Sequence, residues 1–170
     1  MKGDIIINME NVRFDGNVLD IGYDNNGIIY NICRCSNNNI NIDYFENNAE
    51  LKNDSNNKYH SCALFITLSE LLTKSRKTKL LDVIFNYLDD DGFLYIWDID
   101  KRKGEILDVN IKVILPYRKI KSILHKDYNI FKESNSEITK ELLKDKFSII
   151  TSKESNGMHF VKAQKKGIGT

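Results

Sequence analysis

Apolar positions fall in short blocks whose spacing alternates between that of strands and that of helices. Residues 17–21 (NVLDI), apolar and β-branched after the turn pair Asp15-Gly16, predict a buried strand, and residues 27–34 (GIIYNICR) predict a short helix. Residues 40–44 (INIDY) predict a second strand at a separation that suits a βαβ unit. From Phe45 to Lys58 the chain turns polar and rich in Asn, Asp and Lys, the pattern of a loop with one helical turn. Residues 59–66 (YHSCALFI) read as another buried strand, and Thr67-Leu68-Ser69-Glu70 matches a capping box, which predicts a helix start. Leu71, Leu72, Leu80, Leu81, Ile84, Phe85 and Leu88 follow as a one-sided stripe, the core face of that helix. Residues 89–92 (DDDG) supply a turn glycine to end it, and residues 93–99 (FLYIWDI) form a strongly apolar strand.

This alternation predicts an α/β fold: a three-layer sandwich with a Rossmann-like, mostly parallel sheet covered on both faces. The remainder changes character. Residues 111–115, closed by the only proline, Pro116, and residues 120–124 read as two extended pieces placed after the central strand. Ser134-Asn135-Ser136-Glu137 offers a second capping box, opening a helix to about Lys146. Residues 147–151 and 158–163 flank Asn156-Gly157, the signature of a closing antiparallel hairpin, so the last strand should be reversed. No repeat or linker divides the chain. The expectation is one domain over residues 1–170, with an insertion at about 101–131 serving as a lid or substrate-binding segment.

Composition narrows the function. With 170 residues, 41% of them hydrophobic, a single domain can bury roughly two-thirds of its unfolded surface. The formal net charge is +1, and Asp and Glu accompany Lys and Arg almost everywhere, so no field for generic nucleic-acid binding exists. The start, MKGDIIINMENVRF, lacks the apolar segment of a signal peptide, and no run approaches the roughly 20 apolar residues of a membrane span. A cytoplasmic protein without membrane contact is expected. Cys33, Cys35 and Cys62 are an odd number, which argues for reduced thiols.

Chemistry concentrates at NVLDIGYDNNG, residues 17–27. In a parallel α/β sheet, ligands bind at the carboxyl ends of strands, where Asp20 and Gly22 fall. A glycine there permits close backbone approach, and the following helix offers free amides. An acidic strand end suits an amine and repels a pyrophosphate. Asp43, about twenty residues on, stands where a carboxylate accepts hydrogen bonds from ribose hydroxyls. Together these describe a site for a nucleoside carrying an amino acid.

VLDIGYDNNG resembles the first motif of the class I S-adenosylmethionine-dependent methyltransferases, an acidic residue followed by alternating glycines. INIDYFEN is similar to their second-strand motif with its ribose-binding acid. YHSCALFITLSELL and LLDVIFNYLDDDGFLYIWDI are similar to their fourth strand, its helix and the fifth strand, and the terminal helix and hairpin suit their reversed last strand. The resemblance covers about residues 16–165. It implies a transferase using S-adenosylmethionine, with cofactor-binding residues Asp20, Gly22, Tyr23, Asp24, Gly27, Asp43, Tyr44 and Thr67. It implies no metal and leaves the acceptor, a small polar molecule, unidentified. Asp24 replaces the second glycine and Asn25-Asn26 lengthens the loop; Asn and Asp tolerate left-handed backbone, which preserves the turn. The stretch between second and fourth strands is short, so the third strand is abbreviated or the adenine pocket is made otherwise, with Asp54, Ser55 and Asn56 as candidates. No Asn-Pro-Pro-aromatic tetrapeptide is present.

Other residues carry plainer roles. Cys33 and Cys35 lack a second ligand pair for zinc and read as helix residues. His60 and Cys62, two apart in a strand, read as packing in preference to a nucleophile and base. Trp97 and Asp98 end the central strand, where Asp98 either orients a substrate or faces solvent. The insertion, with Tyr117, Arg118, His125 and Tyr128, selects the acceptor or forms the edge of a homodimer. Two other classes compete: a non-catalytic domain of the same fold, serving as cofactor sensor or interaction module, and an NAD-dependent oxidoreductase, against which the missing G-x-G-x-x-G and the acidic Asp20 both count.

Overall fold

A computed structural model of the chain describes residues 2–24, 26–36, 40–46 and 58–167. A six-stranded sheet runs through the middle. Its strands are β2 (Val18–Gly22), β3 (Ile42–Glu46), β4 (Tyr59–Phe65), β5 (Leu88–Ile99), β8 (Phe147–Ser155) and β9 (Met158–Lys165), in the spatial order β3-β2-β4-β5-β9-β8. β3, β2, β4 and β5 are mutually parallel, and β9 runs antiparallel between β5 and β8. The expected mostly parallel sheet with a reversed last strand is what forms. Asn156 and Gly157 close the β8–β9 hairpin with φ of 53° and 80°, the doubly left-handed turn that matches strand twist.

Helix α1 (Ile28–Cys35) lies on one face of this sheet, and α2 (Lys74–Tyr87) and α3 (Ser136–Leu143) lie on the other. Beside α1 packs a second sheet of three strands, ordered β1 (Lys2–Asn8), β6 (Leu107–Ile114), β7 (Ile120–Asp127), with β1 parallel and β7 antiparallel to β6. One core therefore joins Ile28, Ile29 and Ile32 of α1 and Leu107, Val109, Ile111 and Val113 of β6 to Val18, Ala63, Phe65, Tyr95 and Trp97. The other joins Leu80, Leu81 and Ile84 of α2 and Leu143 of α3 to Leu19, Ile21, Cys62, Leu64, Leu94 and Ile96.

Several local expectations give way to tertiary contacts. Residues 2–8 form a strand that the sequence pattern did not reveal, and it supplies the partner for the inserted segment. Thr67-Leu68-Ser69-Glu70 does not open a helix; its polar groups are drawn to neighbouring elements, and α2 starts at Lys74 with Thr73 accepting from the Arg76 amide. α2 ends without a left-handed glycine. Residues 89–92 bulge out of β5, so that Tyr59 faces Leu88 but Ser61 faces Phe93. Gly92 is needed there for closeness: a Cβ would stand 3.0 Å from the Asp89 carbonyl oxygen and 3.1 Å from Leu88 Cβ. Asn135, not Ser134, caps α3, accepting from the Ile138 amide at 2.9 Å.

Because Trp97 is the only tryptophan and shares a core with Ile111 of β6, it reports on both sheets. Ile111→Ala should lower stability by about 2–5 kcal/mol. Urea unfolding should remain one transition, coincident by Trp97 fluorescence and far-ultraviolet circular dichroism; two separated transitions would show that the small sheet folds as an independent unit.

Candidate functional site

Strand alternation sets the site's floor. Leu19 and Ile21 point to the α2 face, so Asp20 and Gly22 point to the α1 face at the carboxyl end of β2. In register beside them stand Tyr44 and Glu46 of β3. The Tyr44 hydroxyl donates to the Gly22 carbonyl at 3.2 Å. Burial, then the nearby Asp20, Glu46 and Asp24 carboxylates, push its pKa up to about 12. Asp20 is 8% exposed and its carboxylate makes no hydrogen bond or ion pair among the described residues; burial pushes its pKa up to about 7. Three carboxylates thus lie near the Tyr44 hydroxyl that holds the Gly22 carbonyl. A Cβ at Gly22 would meet nothing closer than the Asp24 carbonyl oxygen at 3.6 Å, so packing within the protein does not demand the glycine. It leaves the backbone open to a ligand.

The lengthened loop turns without the missing glycine, through a hydrogen bond from the Asn26 amide to the Asp24 carbonyl at 2.9 Å. Gly27 then takes φ 70° as the N-cap of α1, and a side chain there would come within 3.2 Å of Lys121 Nζ. Asn26 Oδ1 accepts from the Ile28 amide, and the Asn31 side chain donates to the Gly27 carbonyl.

Asp43 is not part of this cluster. β3 begins two residues later than the pattern suggests, which puts Asp43 inside the strand on the α2 face, where it accepts from the Tyr59 hydroxyl at 2.7 Å. The carboxylate at the end of β3, on the same face as Asp20, is Glu46. Its signal lay in the quoted INIDYFEN, three positions on. Asn25 and the candidates Asp54, Ser55 and Asn56 lie outside the described residues.

The far wall of the site is the turn after β4. Ile66 has φ 53°, rare for a β-branched residue, and its amide donates to the Trp97 carbonyl at 2.8 Å. Thr67 is fully buried and its hydroxyl donates to the Ile21 carbonyl at 2.9 Å, a tie between the ends of β4 and β2. Asp98 is neither solvated nor free for a substrate: it is fully buried, and accepts from the Ser69 amide at 2.9 Å and the Ser69 hydroxyl. Trp97 is core, stacked on Phe160 at 4.8 Å. Cys62 is fully buried, with its thiol pushed well above the usual value by burial, and Cys33 is held at about 12, again by burial first and then by Asp20. Neither is a nucleophile at neutral pH.

The roof is β7. Its inward residues are Lys121, Ile123, His125 and Asp127. Lys121 reaches Gly27, which follows β2; His125 Nδ1 is 3.5 Å from Glu70, which follows β4; Asp127 pairs with Lys101, which follows β5, at 3.0 Å. One strand of the inserted segment thereby crosses the carboxyl ends of three parallel strands. The expected lid over residues 101–131 includes β7, but its contact with Glu70 and the pairing of β6 with both β7 and β1 carry no local mark in the sequence.

A carboxyl held protonated by the fold has a stability signature. Between pH 4 and 7 the unfolded chain has lost the Asp20 proton while the folded chain keeps it, so rising pH draws stability down until about pH 7, where the effect levels off. Asp20→Asn should therefore be more stable than the wild type at pH 8 by roughly 2–4 kcal/mol, and the advantage should vanish near pH 4 in denaturant titrations.

No family model matches the chain, and no curated protein matches it. Solved structures do. An S-adenosylmethionine-dependent methyltransferase from Clostridium acetobutylicum superposes with a TM-score of 0.58 at 10% identity, over 89% of this chain and 85% of that one. The glycopeptide N-methyltransferase MtfA in complex with S-adenosyl-L-methionine gives 0.53 at 12% identity, over 90% and 88%. The N-methyltransferase NodS from Bradyrhizobium japonicum, in complex with S-adenosyl-L-homocysteine, gives 0.52 at 11% identity, over 88% and 78%. Sheet order, reversed strand and superposition agree: the chain has the class I S-adenosylmethionine-dependent methyltransferase fold.

Proposed function

We propose that the protein is a methyltransferase that draws its methyl group from S-adenosylmethionine and passes it to a small polar acceptor. The observation that carries this reading is the convergence of Asp20, Tyr44 and Glu46 on Gly22 at the carboxyl ends of β2 and β3. A buried carboxylate without a partner fits an ammonium group, and an exposed carboxylate on the next strand fits a pair of ribose hydroxyls. The same negative charge disfavours a dinucleotide pyrophosphate, which counts against the oxidoreductase reading.

Asp20 would take the amino group of the ligand's amino-acid end, and Gly22, Tyr23 and Asp24 would form the loop around it. Glu46 would hold the ribose, in place of Asp43, whose carboxylate serves Tyr59. Gly27 and the first amides of α1 lie beside them, Tyr44 fixes the Gly22 backbone, and Thr67 keeps the β2–β4 seam closed. Bound there, the sulfonium supplies an electrophilic methyl carbon. The chain's own task is then positioning and exclusion of water, which β7 and the turn after β4 perform by enclosing the strand ends. The inserted segment, as the roof, selects the acceptor.

Calorimetry and thermal shift test this reading with S-adenosylhomocysteine, S-adenosylmethionine and NAD. The sulfur nucleosides should bind, Asp20→Ala and Glu46→Gln should each weaken them by about 10–100-fold, and Asp43→Ala should leave the affinity within about threefold. Binding should also weaken as pH falls below 7, because Asp20 must give up its proton to meet an ammonium group. Selective stabilisation by NAD would overturn the proposal, and a protein indifferent to all three is an interaction module.

A further inference from the structure

Two of the three histidines are buried, and they differ in one respect. His159 is satisfied at both nitrogens, with Thr139 Oγ1 at 2.9 Å from Nε2 and Asp100 Oδ1 at 2.7 Å from Nδ1. His125, 8% exposed, has its Nδ1 facing Glu70 at 3.5 Å, while its Nε2 is shielded from solvent and has no hydrogen-bond partner. It is the one such side-chain atom among the described residues. Leaving a polar atom buried and unpaired costs about 1–3 kcal/mol, and an apolar residue at this inward position of β7, like Ile123 next to it, would avoid that cost. Placement explains its retention. His125 lies on the strand that roofs the carboxyl ends of β2, β4 and β5, over the turn that Thr67 and Ser69 fix to the sheet.

Resting on the methyltransferase reading, we infer that His125 is the general base for the acceptor, positioned by Glu70. Its Nε2 receives the proton of an acceptor N–H or O–H group. The acceptor's lone pair forms the bond to the methyl carbon, the carbon–sulfur bond breaks with its electron pair returning to sulfur, and the proton ends on the imidazole. The imidazolium then faces the Glu70 carboxylate and releases its proton to solvent along the Glu70 side, which is about one-third exposed. The other charged groups nearby are already matched, since Asp127, two residues along β7, pairs with Lys101 and Lys132, and Glu70 has no other ion partner among the described residues. Such a base selects acceptors that enter protonated, an ammonium or a hydroxyl, over thioethers and aromatic carbons.

The test compares wild type, His125→Asn, which keeps a donor toward Glu70 but cannot titrate, and Glu70→Gln. Three readouts apply. S-adenosylhomocysteine affinity and melting temperature in His125→Asn should match wild type. In Glu70→Gln the loss should fall on kcat, with the KM for S-adenosylmethionine unchanged. Transfer of a tritiated methyl group from S-adenosylmethionine to small amines and phenols, and to the low-mass fraction of a cell extract, should drop about 100-fold or more in His125→Asn at pH 7. Failure of wild type to bind S-adenosylhomocysteine removes the cofactor reading itself. If it binds, then undiminished transfer by His125→Asn, an unchanged kcat in Glu70→Gln, or absence of any transfer by wild type overturns the assignment of the base.

Discussion

The turn between β4 and α2 is anchored by two buried hydrogen-bonding groups, Thr67 to the Ile21 carbonyl and Ser69 to the Asp98 carboxylate. Much of the site follows from these ties. They hold the ends of β2, β4 and β5 at fixed separations, and they turn the chain sharply enough that Ile66 takes a left-handed backbone at a cost of about 1–3 kcal/mol. They also delay α2 until Lys74, leaving Glu70 in an irregular segment from which it reaches β7. A regular helix from Thr67 would have spent the same hydroxyls on its own amides, and the wall facing Asp20 would be gone.

The charge distribution runs in the opposite sense to stability. Asp20 is unpaired and mostly enclosed, Tyr44 stands among three carboxylates, and the His125 ring keeps a naked nitrogen. Elsewhere the same chain satisfies its buried polar groups: Lys101 with Asp127, Lys165 with the Leu88 carbonyl, His159 with Thr139 and Asp100. Asp20 and His125 stand apart from the buried polar groups that the chain pairs elsewhere.

Legibility followed the range of the interactions. The strands at 17–21, 59–66 and 93–99, helix α1 and the Asn156-Gly157 hairpin were readable because period and turn chemistry are local. Asp20, Gly22, Tyr44 and Gly27 were legible as strand-end and turn positions for the same reason: they sit within a few residues of a strand end. A two-residue slide of a short edge strand leaves the apolar pattern almost unchanged while moving the strand end from Tyr44 to Glu46. The capping box at Thr67 misled because its hydroxyls do the same work for other strands. His125 was legible as a polar residue of the insertion, but its contact with Glu70 was not.

The roof has a history as well as a shape. β6 is zipped on one side to β7, a few residues on, and on the other to β1, with Lys2 opposite Asp108. During synthesis the first strand waits unpaired while about a hundred residues are added, roughly 5–20 s at ribosomal speed. Sheet edges left open that long invite wrong partners. The parallel strands and α1 are all made in that interval, so the floor of the site is in place before its cover can close, and the last loop to be shut is the one that makes the site a cleft.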